Sequence, residues 1–176
     1  MIGAWLVTWV SSHPGEGLEP WPRVASIIAE DARPAAVLGF PNFVAWPLVA
    51  ARDMSRPIDL QPIGLDGREV SQALQTLPRG QGRTYLVMRL DLSLMKNRAA
   101  VDTFLAALAD RLGAAHQMTV LLVLSRDVSI VPELRGVRDD VERQLTGRFG
   151  RGLIRQEGPW LSVLTYGASA LGTSDR

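Results

Sequence analysis

Three short stretches of the chain carry side chains whose types and spacing could do chemistry. Ser11-Ser12-His13-Pro14-Gly15-Glu16-Gly17 sets two hydroxyls and an imidazole beside two glycines. His13 is a candidate general acid or base near neutral pH, and the backbone at Ser11, Ser12, Gly15 and Gly17 is a candidate cradle for an anionic group. The stretch Asp91 to Asn97 supplies a carboxylate that can orient a base or meet a cation, and the Lys96 ammonium, which can contact an anion. Ser125-Arg126-Asp127 adds a hydroxyl, a guanidinium suited to anionic groups and a second carboxylate. His13, Asp91, Asp127 and Lys96 are therefore the candidate catalytic residues. Ser11, Ser12, Gly15, Gly17, Ser125 and Arg126 are the candidate ligand contacts.

These stretches stop short of every motif with a defined mechanism. No lysine follows a glycine pair at the spacing of a phosphate-binding P-loop, and Gly15-Glu16-Gly17 runs on into Leu18-Glu19-Pro20 rather than completing Gly-x-Gly-x-x-Gly. Glu16 and Glu19 would also repel phosphate. A Ser-His-Asp set can be drawn from Ser11 or Ser125, His13 and Asp91 or Asp127, but there is no Gly-x-Ser-x-Gly elbow to expose a nucleophile. His13 and His116 are the two histidines, neither with a second at i+3 or i+4, and there is no cysteine. No metal site and no cofactor are expected from this inventory.

The elements that must position these residues are read from the apolar pattern. Continuous apolar runs predict strands at Ala4–Val10, Ala35–Phe40, Tyr85–Leu92, Thr119–Leu124 and Leu161–Tyr166, with Ile58–Leu65, which holds Pro62, as an edge candidate. TVLLVL at 119–124 has no polar alternation, so both of its faces must be covered, as in a parallel sheet between helices. Helical spacing predicts Arg98–Leu112, opened by Asn97 and closed by Gly113, and a second helix carrying Val137, Val141, Leu145 and Phe149 that stops near Gly150 or Gly152. Shorter helices are expected around Val70–Leu77 after Asp66-Gly67, around Val24–Ile28 after Pro20 and Pro22, and over Phe43–Arg52, where Pro47 would kink or shorten the helix. The alternation predicts an α/β three-layer sandwich, Rossmann-like or degenerate P-loop-like, with a mainly parallel sheet of five or six strands and helices on both faces. Residues 1–168 are read as one domain and 169–176 as a flexible tail. In such a sheet the ligand crevice lies beyond the carboxyl ends of the strands, where all three stretches fall.

The pair YLVMRLD (85–91) and LLVLSRD (121–127), separated by a helix, resembles in outline the magnesium-carboxylate strand and the following strand of P-loop ATPases. Without the lysine loop, the resemblance implies an ATPase-like scaffold that has lost nucleotide hydrolysis.

The 176 residues are 47% hydrophobic and 21% charged, and every basic residue but Lys96 is arginine, the usage of a GC-rich, bacterial genome. A net charge of +1 announces neither nucleic acid nor an anionic membrane as partner. Between Glu133 and Glu157, six arginines face five acidic residues, which reads as a solvated face with a small anion-binding corner at Arg148, Arg151 and Arg155. MIGAWLVTWV is too short to span a membrane and lacks a charged leader, so it is read as a buried strand and the protein as cytoplasmic. Trp21 and Trp46, each beside proline, are candidate interface residues. The expectation from sequence is a non-catalytic assembly or regulatory subunit that binds a protein partner or its own copy. The alternatives are a small-molecule hydrolase or transferase with its site at the carboxyl edge, and a nucleotide-signal binder without turnover.

Overall fold

The computed structural model describes residues 19–31, 34, 36–51, 58–77, 83–113, 116–125 and 131–167. The expected strand at Ala4–Val10 and the tail 169–176 lie outside them. In chain order the elements are α1 (Trp21–Ala29), β1 (Ala36–Phe40), a 3-10 turn (Asn42–Val44), α2 (Ala45–Ala51), β2 (Leu60–Pro62), α3 (Gly67–Gln75), β3 (Thr84–Leu90), α4 (Leu92–Lys96), α5 (Arg98–Leu112), β4 (Met118–Leu124), α6 (Val131–Phe149), β5 (Leu153–Gln156) and β6 (Leu161–Tyr166).

The strands form one six-stranded sheet in the order β2-β1-β3-β4-β6-β5. β2, β1, β3 and β4 run parallel, whereas β6 lies antiparallel to both β4 and β5. The expected α/β sandwich is the fold observed. Alternation along the central strands divides the core into two layers. Leu86, Met88 and Leu90 of β3, with Val120, Leu122 and Leu124 of β4, pack toward α3, α5 and α6. Tyr85, Val87, Leu121 and Val123 pack toward α1 and α2. Phe40 stacks on Phe104 with ring centroids 4.2 Å apart, joining the end of β1 to α5.

Local chemistry explains the boundaries. The Asp66 carboxylate accepts the Arg68 amide and caps α3. Gly113 and Gly150, at φ of 77° and 80°, end α5 and α6 in the left-handed region that glycine enters without strain. Pro47 is the third residue of α2, where the missing N–H has no intrahelical partner to lose, so the helix survives with seven residues and the 3-10 turn replaces its expected start. Asn97 does stand before α5, but its amide donates back to the Ser93 carbonyl rather than capping α5.

One strand is added and two expectations are corrected. Leu153–Gln156, read as the region after a helix stop, is the edge strand β5; all four of its residues are exposed, so no apolar run marks it. Trp21, a candidate interface residue, is buried: Pro20 and Pro22 stand at the start of α1, which turns the indole into the core. The arginine corner does not form, because Arg148 pairs with Asp102 and Arg155 with Glu157. Trp46, by contrast, is 82% exposed. No helix among the described residues is long and apolar enough to cross a membrane.

Candidate functional site at the carboxyl edge of the sheet

β1 and β3 are neighbours in the sheet, but their outgoing connections part company. The chain leaves β1 toward β2 on one side and leaves β3 toward β4 on the other. That divergence is a topological switch point, and the crevice it opens beyond the strand ends is where ligands of open α/β sheets bind. In register, Phe40 of β1 stands opposite Met88, so β3 projects Arg89 and Leu90 past the end of its neighbour.

Arg89 follows Tyr85 and Val87 on the face covered by α1 and α2. Its Nη2 donates to Glu19 Oε1 at 2.7 Å, its guanidinium lies 5.7 Å from the centre of the Phe43 ring, and Nη1 is 3.9 Å from Asp91 Oδ2. Glu19 Oε2 in turn accepts the Trp21 indole N–H at 2.9 Å. An arginine in an otherwise apolar strand is thus compensated by a carboxylate delivered from just ahead of α1, and both side chains are more than two-thirds buried. The Arg89 Nε is buried with no hydrogen-bond partner, the kind of leftover donor that marks a functional or strained position.

Asp91 is divided between two tasks. Its Oδ1 accepts the Ser93 amide at 2.8 Å, the Ser93 hydroxyl at 2.7 Å and the Leu94 amide at 3.3 Å, capping α4. Its Oδ2 is the oxygen that faces Arg89. Ser125 closes the floor: it is 8% exposed, and its amide donates to the Leu90 carbonyl, tying the ends of β3 and β4. Lys96 is exposed in the last turn of α4.

Of the residues expected from sequence, the structure places Asp91, Lys96 and Ser125 on this edge. Ser11, Ser12, His13, Gly15, Gly17, Arg126 and Asp127 lie outside the described residues. His116 is at the opposite, amino edge, where its Nε2 is 2.9 Å from the Thr84 hydroxyl. Glu19 was expected to repel anions, yet its charge is held by Arg89. Phe43 and Arg89 were missed as site residues, although a charged residue inside YLVMRLD was a visible signal. Among the described residues no group of three potential ligands is placed to hold a metal ion.

No protein-family model and no curated protein sequence matches the chain. Solved structures similar to it include the 16S rRNA N2 G1207 methyltransferase RsmC of T. thermophilus in complex with AdoMet and guanosine, at 15% identity and a TM-score of 0.45, covering 93% of this chain. The chain spans 46% of the length of that protein. The N-methyltransferase NodS of Bradyrhizobium japonicum WM9 is similar at 11% identity and a TM-score of 0.40, over 84% of this chain and 94% of that one. A TehB-like SAM-dependent methyltransferase of Corynebacterium glutamicum ATCC 13032 is similar at 12% identity and a TM-score of 0.32, over 93% and 95%. The expectation of a non-catalytic, degenerate regulatory subunit runs against these matches, all of them enzymes, and is withdrawn.

Proposed function

We propose that the chain is a small-molecule transferase whose site is the crevice over the ends of β1 and β3. The observation that carries this reading is the charge of the network at the switch point. Glu19 and Asp91 bring two negative charges and Arg89, which meets both, one positive charge, so the three groups sum to −1. A polyphosphate meets net repulsion there, and the loop after β1 offers a 3-10 turn without glycine in place of a glycine cradle. A cationic cosubstrate meets attraction, strengthened by partial burial of the carboxylates.

The sulfonium of S-adenosylmethionine, the methyl donor that two of the similar structures name, has that charge. When bound, it would supply an activated methyl group. Glu19 would face the cation, with Arg89 and the Trp21 indole holding its carboxylate in place. Asp91 Oδ2 would add a second negative charge, and Phe43 an apolar wall that excludes water. The chain's contribution to such a transfer is orientation and charge rather than a nucleophile of its own.

Calorimetric titration of the full chain with S-adenosylmethionine, its neutral thioether S-adenosylhomocysteine, and ATP tests the reading. The expected order of affinity is sulfonium, then thioether, then ATP, with Glu19→Gln weakening only the sulfonium, by about tenfold. ATP binding more tightly than the sulfonium would overturn it.

A further inference from the structure

The two lateral edges of the sheet, β2 and β5, are finished differently. β2 has three residues and ends in Pro62, which has no N–H to offer a further strand. β5 carries neither proline nor lysine, and its apolar side chains, which alternate between the two faces of the sheet, are bare: Leu153 is 57% exposed and Ile154 51%. Sheets are normally blunted at their edges against strand addition, and an edge left apolar and unblunted is a template for another strand.

The ladder with β6 fixes which backbone groups of β5 face outward. The Glu157 amide donates to the Leu161 carbonyl, and Arg155 and Leu153 stand opposite Val163 and Thr165 in the same register. Antiparallel alternation therefore turns the N–H and C=O of Leu153, Arg155 and Glu157 toward β6, and those of Ile154, Gln156 and Gly152, just ahead of the strand, toward the open side. A second copy of the chain can meet these groups with its own about a two-fold axis, and charge then chooses the register. With the axis at Arg155 the guanidinium stands opposite its own copy, and with the axis at Leu153 it stands opposite Arg151, like charges directly opposed in both. With the axis at Gln156 the copy runs past the turn at Gly158, whose φ is 78°, and Ile154 is left without a partner strand. The axis at Ile154 avoids all of this. Ile154 then meets its own copy, Leu153 lies against the stem of Arg155, and the exposed Arg151 stands opposite Glu157.

We propose that β5 is a self-association edge, at which two copies of the chain join antiparallel about a two-fold axis at Ile154 and make one continuous sheet. The match of Arg151 to Glu157 is a match between residues of the same chain, which is what makes a second copy the occupant. Arg155 is already neutralised within its own chain by Glu157 at 2.7 Å, so its charge does not bar the seam. A four-residue strand buries too little surface for an obligate dimer, so the association is weak and concentration-dependent. β5 is separated from β3 by β4 and β6, so the seam stands apart from the crevice over β1 and β3.

The chain has no cysteine, so single-cysteine variants of the full chain read the register without background. Residues of a hydrogen-bonded antiparallel pair have Cα atoms about 5.5 Å apart, within disulfide reach. Under mild oxidation Ile154→Cys should therefore give a covalent dimer at least tenfold faster than Leu153→Cys or Arg155→Cys alone, whereas a mixture of the last two should cross-link to each other. Sedimentation velocity of the unaltered chain should show dimer growing in between about 5 and 500 µM. Ile154→Lys, which sets two ammonium groups at the axis, should stay monomeric over that range with its melting temperature at the lowest concentration nearly unchanged. A monomer at every concentration, equal cross-linking at all three positions, or a dimer that survives Ile154→Lys would overturn the proposal. So would a monomer whose Ile154 and Gln156 amides are protected from hydrogen exchange, since another segment of the same chain would then hold the edge. Should Ile154→Lys fail to fold, the cross-linking pattern and the sedimentation of the unaltered chain still decide.

Discussion

At the carboxyl edge, Trp21, Glu19, Arg89 and Asp91 form one connected network in which each ionised group is in contact with another. At the amino edge, Glu30, Asp31, Arg83 and Tyr85 line one groove, in which the Tyr85 hydroxyl donates to Asp31 at 3.4 Å. The difference follows from what each edge must do. The carboxyl edge sits where α1 enters the fold and β3 outruns β1, so charged side chains there are partly buried and have to be compensated from within the protein. The amino edge carries charged side chains at the end of α1 and ahead of β3, where Glu30 pairs with Arg23 and the Tyr85 hydroxyl donates to Asp31. A preorganised network suits a site that orients a reacting group.

The largest way to disturb this contrast is to remove the anchor of the carboxyl-edge network. Trp21 is buried and holds Glu19, so Trp21→Ala should cost about 3–5 kcal/mol in denaturant unfolding and loosen that edge first. A Trp21→Ala protein as stable as the parent would mean that the indole is not part of the core. Arg89→Leu should cost about 1–3 kcal/mol, because it strands the partly buried Glu19 carboxylate. Adding Glu19→Gln should recover most of that loss. If the double variant is no more stable than Arg89→Leu alone, the pair is not what makes Arg89 tolerable in a strand.

The amino edge has its own signature, in pH. Burial holds the His116 imidazole below its ordinary value of 6.5, so the folded protein prefers it neutral. With the folded value depressed, the unfolded chain binds the proton more readily. The contribution is therefore complete above about pH 6.5 and is lost as pH falls toward the folded value. His116→Gln should flatten that acid limb of the stability curve, read from urea midpoints between pH 7 and pH 5. An unchanged slope would sever His116 from it. The smallest effect belongs to Trp46→Ala, which should lie within about 0.5 kcal/mol of the parent because the side chain is 82% exposed.

Much of this scaffold was legible in the chain. The apolar runs at Thr119–Leu124 and Leu161–Tyr166 and the stripe over Arg98–Leu112 reappear as β4, β6 and α5, since each is buried strongly enough to stamp its period on the sequence. β5 left no such stamp: its four exposed residues are held by pairing with β6 on one side, and backbone hydrogen bonds do not choose side chains. The site was half legible. Asp91 was found because it ends a strand, but Glu19 and Arg89 are 70 residues apart, and only the fold brings a strand arginine against a carboxylate ahead of a helix. The amino-edge groove was invisible for the same reason, being lined from α1, β3, β5 and β6 together.

The account turns on which edge of the sheet meets the cosubstrate, and amide chemical-shift mapping of the isotopically labelled full chain with S-adenosylmethionine reads that directly. Perturbations should concentrate at Phe43, Arg89, Asp91 and Ser93 and leave Arg83, Tyr85 and Gln117 unmoved. Perturbation of Arg83, Tyr85 and Gln117 with the carboxyl edge silent, or no perturbation at saturating concentration, would contradict the assignment of the transferase site to the switch point between β1 and β3.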